Sequence, residues 1–386
     1  MKSAINKLQN SKKPKFLLIG GFASSLINFR GPLIAELVKR FEVFAAAPFI
    51  DLETKEKVES LGAHVVSTEF QRTGVNPIAD YKAYTAFKKQ VNSIKPDYTL
   101  AYTIKPVVFG LKAVMHTDSK RFALITGRGS GFDSNGFKAK FIKLIVTQLY
   151  RNSLKMADGV VFQNEEDRTF FVNEKILMAR SNSTVIEGTG VDMSHYRAFH
   201  RKENVKVTFL FVARLIKEKG IPELIRATEQ LKKAGLDFEV QLLGWVDPNP
   251  GGISKTEIEE LHASGLVNYL GTTDDIRPYM NEADIFVLPS YYNEGLPRTI
   301  QEAMAMEKPI ITTDHPGCKE TVVEGENGFL VPTKDAEALA GAMKKFIENP
   351  KLIEKMGKRS YHLCKEKFDV DKINAQLLKF MEVYDL

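Results

Sequence analysis

Short apolar runs alternate with helical spacing along the first half of the chain. KFLLIG (15–20) reads as a strand, and EVFAAAP, HVVSTEF, DYTLAYT, RFALITG and GVVFQN continue the series. Between the first two, residues 29–40 place Phe29, Leu33, Leu37 and Val38 at helical spacing. Strands alternating with helices predict a parallel sheet covered on both faces. The pattern then restarts. VTFLFVARL (207–215), FEVQLLG (238–244), IFVLPS (285–290) and PIITTD (309–314) are strands, with helices over 221–234, 254–263, 297–306 and 335–348. The stretch TGVDMSHYRAFHRKEN between the halves is polar and charged and reads as a connector. The expected fold class is therefore α/β, with two doubly wound, Rossmann-like domains facing across a cleft. Ligands of such sheets bind beyond the carboxyl ends of the strands, so the residues just after each strand matter most.

Composition changes this picture little. The chain has 386 residues and 44% apolar content, enough for two domains with proper cores. Two cysteines, Cys318 and Cys364, read as thiols in a reducing compartment. The first fifteen residues are polar and basic, and the apolar stretch after them is split by Gly20-Gly21. It is neither a signal sequence nor a membrane span, so a cytoplasmic location is expected. A net charge of +6 without interleaved basic and aromatic motifs gives no reason to expect nucleic acid as a partner.

Three strand ends carry candidate chemistry. In IGGFASSLINFRG a strand runs into Gly20-Gly21 and then toward a helix, with Asn28 and Arg30 close behind. Glycines there let a ligand approach the backbone, or simply pack a tight turn. The dinucleotide spacing G-x-G-x-x-G is absent. In FVARLIKEKG, Arg214 ends a strand and Lys219 follows five residues later. Two cations on one loop suit a diphosphate; two solvated charges at a helix start are the plain alternative. In PSYYNEGLPRTIQEA, Glu294 precedes Gly295, Leu296 and Pro297, and Glu302 lies inside the following helix. Pro297 fits the first helical position. A carboxylate accepts two hydroxyl hydrogen bonds, so a vicinal diol is a natural partner for one of the pair. No metal site is expected. The only D-x-D, Asp369-Val370-Asp371, reads as a helix cap, and the seven histidines lack ligand spacing.

Together these segments resemble the family-four retaining glycosyltransferases of the two-domain GT-B fold. EGLPRTIQE matches the family's E-x7-E motif, VARLIKEKG its arginine–lysine pair, and IGGFASSLINFRG its Gly-Gly loop. NFRGP, LITGRGSGF and NGFKAKF are similar to members that build glycans on undecaprenyl diphosphate, in surface-polysaccharide, O-antigen or protein-glycan assembly. The resemblance implies a donor site: Glu294 on the donor sugar, Glu302 on the ribose diol, Arg214 and Lys219 on the departing diphosphate, amides of Gly295 and Leu296 beside them, and the backbone near Asn268 on the base. It implies a UDP-sugar co-substrate, no cofactor and no metal, and an N-acetylhexosamine or hexose moved to a lipid-diphosphate-linked saccharide. The acceptor domain would be 1–195 with the C-terminal helix 367–386 crossing back, and the nucleotide-sugar domain 200–366. Where many members carry a histidine, this chain has Thr126, Gly127, Arg128 and Gly129, so Arg128 is the candidate contact for an anionic acceptor. Two other readings fit the architecture, a sugar-nucleotide epimerase or hydrolase and a non-catalytic carbohydrate-binding module.

One segment bears on location. From Asp133 to Asp158 no acidic residue intervenes, while Lys138, Lys140, Lys143, Arg151 and Lys155 do. Lys140, Lys143, Arg151 and Lys155 fall within an arc of about 120° on a helix, with Phe141, Ile142, Ile145, Val146, Leu149 and Tyr150 expected on the packed side. Either this is a solvated basic face, or Lys138–Lys155 docks on anionic lipid at the inner face of the cell membrane.

Overall fold

The computed structural model describes residues 13–70, 76–128, 137–199, 205–247 and 251–384. The chain divides into two compact units. Unit 1 runs to Ile186 and takes in the C-terminal segment from Asn374; unit 2 is Glu187–Ile373.

Unit 1 holds seven parallel strands: β1 (Lys15–Ile19), β2 (Glu42–Pro48), β3 (His64–Thr68), β4 (Tyr98–Tyr102), β5 (Lys120–Ile125), β6 (Gly159–Phe162) and β7 (Ser183–Val185), in the order β3-β2-β1-β4-β5-β6-β7. Unit 2 holds β8 (Val207–Val212), β9 (Phe238–Leu243), β10 (Asn268–Tyr269), β11 (Ile285–Leu288), β12 (Ile310–Thr313) and β13 (Gly328–Val331), in the order β10-β9-β8-β11-β12-β13. Both sheets obey one rule. The chain moves outward from the first strand, returns, and lays the fourth strand on the other side of the first. The switch point is β1/β4 in unit 1 and β8/β11 in unit 2. The central strands are apolar on both faces because helices cover both; Phe16, Leu17, Leu18 and Ile19 are all fully buried. Burying each such side chain contributes about 1.5–3 kcal/mol.

Three differences from the expected elements have local causes. The helix expected over 29–40 is two shorter ones, Ser25–Asn28 and Gly31–Leu37. Pro32 sits in the first turn of the second; it has no N–H to continue the first, and Arg30 takes a non-helical conformation between them. The edge strands β7 and β13 were not expected, and β10 was expected only from the resemblance, at Asn268. They are two to four residues long, which leaves only a short run to read, in β13 the three apolar residues after Gly328. Pro297 is the capping residue of the helix Arg298–Ala305, one place before the first helical position. Asp369 does cap the last helix, its carboxylate accepting from the Asp371 N–H at 3.0 Å. Among the described residues no helix is long and apolar enough to cross a membrane.

Candidate active site

The unit 2 switch point gathers the charged residues. Arg214 leaves the end of β8, and Lys219 ends the short 3-10 turn Lys217–Lys219. Gly220 then takes φ +82°, and a Cβ there would stand 2.1 Å from the Pro289 carbonyl oxygen. Only glycine lets this loop cross so close to the end of β11. The crossing is pinned by the Glu218 carbonyl, which accepts the Tyr291 N–H at 2.8 Å. Beyond β11 the loop turns sharply, Glu294 N–H donating to the Tyr292 carbonyl at 2.8 Å. Gly317, in the loop after β12, supports it from below. Its φ is +89°, and a Cβ would meet the Gly295 carbonyl oxygen at 2.5 Å.

These loops bring two cations onto one aromatic ring, each cation paired with a carboxylate. The Arg214 guanidinium lies 5.2 Å from the Tyr292 ring centroid and the Lys219 ammonium 5.5 Å. Both are within the range of a cation–π attraction. Arg214 Nη1 donates to Asp247 at 3.1 Å. Burial works against the Arg214 charge, but Tyr292 and Asp247 outweigh it and raise its pKa above the ordinary value. Lys219 donates to Glu294. The Lys219 side chain is 7% exposed and that of Glu294 25%, so the lysine is sealed and the glutamate reaches solvent. Cys318 lies beneath; burial, then the Glu294 charge, pushes its thiol up to about 12. It is inert packing rather than a nucleophile.

Glu302 sits one turn into its helix, with Arg298 Nε donating to it at 2.9 Å across an i,i+4 step. The Tyr196 hydroxyl also bonds it. Burial raises the Glu302 pKa, and Arg298 and Tyr196 oppose that rise. Leu296 is buried between the two glutamates in sequence. Asn268 begins β10. Its amide donates to Glu239 at 3.0 Å, near the amino end of β9, whereas Tyr269 bonds the Gly244 carbonyl beyond the carboxyl end.

At the unit 1 switch point the predicted residues lie against neighbouring side chains. A Cβ on Gly20 would meet the Tyr102 hydroxyl at 2.4 Å, and one on Gly21 the Thr103 hydroxyl at 2.3 Å. Arg30 is 2% exposed, its guanidinium 5.0 Å from the Tyr102 ring centroid. Burial raises the Tyr102 hydroxyl to about 12, against the pull of Arg30. Arg128, after β5, pairs with Asp167 at 2.9 Å; burial pushes that carboxyl up to about 6, and Arg128 holds it from rising further. Gly129 lies outside the described residues.

Tyr292, Asp247, Tyr196 and Arg298 were not singled out from the sequence. Arg298 was findable, since it is four residues before Glu302 on a helix. The other three reach the site through turns that no spacing rule encodes.

Residues 192–363 match the family model described as Glycosyl transferases group 1. The chain is 30% identical to the N,N'-diacetylbacillosaminyl-diphospho-undecaprenol alpha-1,3-N-acetylgalactosaminyltransferase of Campylobacter jejuni, over 94% of this chain and 96% of that one. The chain belongs to the group 1 glycosyl transferases. As a member it is also 31% identical to the putative colanic acid biosynthesis glycosyltransferase WcaL of Salmonella typhimurium, over 50% of this chain and 49% of the relative. Its fold is that of solved glycosyltransferases. It matches the sucrose-phosphate synthase of Thermosynechococcus elongatus at TM-score 0.80 and 18% identity, over 96% of this chain and 98% of that one. It matches Anabaena HepE at TM-score 0.71 and 20% identity, over 95% and 99%.

Proposed function

We propose that this glycosyltransferase moves a sugar, an N-acetylhexosamine or hexose, from a UDP-sugar to a saccharide carried on a lipid diphosphate, with retention of configuration and without a metal. The observation that carries this reading is the meeting of Arg214 and Lys219 on the Tyr292 ring at the unit 2 switch point, with Glu294 bonded to Lys219. Two fixed cations stabilise the charge that grows on a departing diphosphate, and each such group is worth about 3–4 kcal/mol in the transition state. Glu294 meets hydroxyls of the donor sugar beside the anomeric carbon. Glu302, buried on a rigid helix, suits the ribose diol; the uracil base follows from the family resemblance.

The reaction breaks the bond between the anomeric carbon and the β-phosphate oxygen and forms one to the acceptor oxygen on the same face. The acceptor proton passes to the leaving phosphate oxygen, so no separate protein base is required. Support for the acceptor comes from the name of the Campylobacter relative and from unit 1. There, large apolar side chains stand exposed: Phe49 just after β2, Ile78 and Tyr81 on the helix Pro77–Ile94, and Phe141 and Leu144 on the helix Phe137–Leu154. Contrary to the sequence expectation, Phe141 and Leu149 are exposed, while Tyr150 is fully buried. Leu144 lies inside the basic arc of the helix Phe137–Leu154. The side chains of Lys138 and Lys140 lie outside the described residues. A mixed apolar and basic surface suits peripheral contact with anionic lipid at the inner membrane face.

The test is incubation with a panel of nucleotide sugars and undecaprenyl-diphosphate saccharides, with products identified by mass spectrometry. A glycan one sugar longer, formed from a UDP-sugar, is expected. Release of UDP at full rate without acceptor would replace transfer by the epimerase or hydrolase reading.

A further inference from the structure

The cations of the unit 2 site already have carboxylate partners. Arg214 holds Asp247 and Lys219 holds Glu294, so these four groups carry no net charge. A diphosphate entering here meets surplus positive charge only if one pair opens. The two pairs differ in what opening requires. Asp247 has a side chain 5% exposed and is bonded through a single Nη of Arg214. A guanidinium has five N–H donors in a fixed fork, so Arg214 can keep Asp247 and still face a second anion. Lys219 is a point charge on a side chain only 7% exposed. Its ammonium cannot be left unpaired at that depth without a cost of several kcal/mol. It can lose Glu294 only as another anion arrives. Glu294, at 25% exposed, has open solvent to move into.

We propose that donor binding exchanges the partner of Lys219: the diphosphate takes the ammonium, and Glu294 is released to the sugar hydroxyls. Arg214 keeps Asp247 throughout. Tyr292 is the positioning residue, since its ring faces both cations and holds them side by side while the partner changes. The sugar-binding carboxylate is thereby withheld until a diphosphate is in place. This gives the site a means to favour a nucleotide-linked sugar over a free one. The inference rests on the reading of this loop cluster as the donor site.

Calorimetric titration of UDP and of uridine separates the possibilities. Glu294→Gln removes the internal competitor and keeps the shape. It is expected to bind UDP roughly tenfold more tightly than the parent, because a charge-assisted bond no longer has to break. Uridine, which carries no phosphate, should bind parent and variant alike. Lys219→Met should weaken UDP binding, and in that background Glu294→Gln should change nothing. Circular dichroism checks the fold, and Glu294→Ala serves if the glutamine variant is unstable. UDP binding to Glu294→Gln no tighter than to the parent, or a gain that persists without Lys219, would overturn the exchange and leave the donor site standing. A parent that binds no UDP at all would remove the donor reading, and the exchange with it.

Discussion

The two switch points share a topology and differ in what fills them. Between β1 and β4, Gly20 and Gly21 lie close against Tyr102 and Thr103, and Arg30 is buried on an aromatic ring. Between β8 and β11 the corresponding space holds Arg214, Lys219, Glu294 and Tyr292, with Glu294 open to solvent. Glycines therefore do opposite work in the two units. In unit 1 they let side chains fill the switch point. In unit 2, Gly220 and Gly317 let backbone segments cross so that charged side chains converge above them. The family model covers 192–363 and so falls within unit 2. The shared topology only supplies a crevice; whether it becomes a charged site depends on which residues follow the two central strands.

The largest test of this contrast is Lys219→Met. Removing one of two cations that stabilise the leaving diphosphate should lower kcat/KM by roughly 10²–10³-fold, with the melting temperature little changed. A loss confined to stability would mean that the pair is structural.

The charged surface of unit 1 comes next. Reversing Lys140, Lys143 and Lys155 to Glu should abolish sedimentation with anionic vesicles at low salt, since each basic residue near such a surface contributes about 1 kcal/mol. Turnover on a short soluble acceptor should survive. Arg151 is better left intact, because its guanidinium is committed to the carbonyls of Lys175 and Glu174. Equal vesicle binding by variant and parent would remove this helix from membrane contact.

Within unit 2, the two glutamates should separate. Glu302→Ala should weaken UDP binding by about 1.5–3 kcal/mol, the weight of hydrogen bonds to a charged group. Glu294→Ala should lower the rate of the chemical step without weakening UDP binding, since Lys219 then loses its internal competitor. Calorimetry showing both variants equally poor at binding UDP would refute the division of labour. In unit 1 the matching substitution, Gly21→Ala, forces a Cβ against the Thr103 hydroxyl and should cost about 1–3 kcal/mol of stability. Unchanged thermal unfolding, with lost activity, would make that glycine a ligand contact instead.

What the sequence showed and what it hid follow from the range of the forces involved. Central strands announce themselves because both faces are apolar. Edge strands such as β10, two residues long, do not. Arg214, Lys219, Glu294 and Glu302 were legible because each lies just after a strand or at helical spacing from one that does. Asp247 and Tyr196 were not, because their contacts depend on how loops return. Gly20 and Gly21 were seen as special, but the sequence could not say whether ligand or tyrosine demanded the room. Asn268 stood at a strand by resemblance, yet its side chain lies toward the amino end, bonded to Glu239.

The smallest expected effect is the most specific. The turnover of the proposed transfer should be nearly unchanged by a strong chelator. Leaving-group charge has to be met by something, and in this site Arg214 and Lys219 both lie on one ring, Arg214 also bonded to Asp247. A divalent ion at the same phosphates would have to share them with these two cations, against their repulsion. A chelator-sensitive rate restored by one divalent ion, on a soluble acceptor that needs no membrane, would show that the pair does not suffice. The same assay on Lys219→Met sharpens the point. If added magnesium rescues that variant but leaves the parent unaffected, the lysine is doing electrostatically what a metal ion would otherwise do. Failure of rescue together with chelator resistance of the parent would leave Lys219 with a role that depends on its position and its partner as well as its charge.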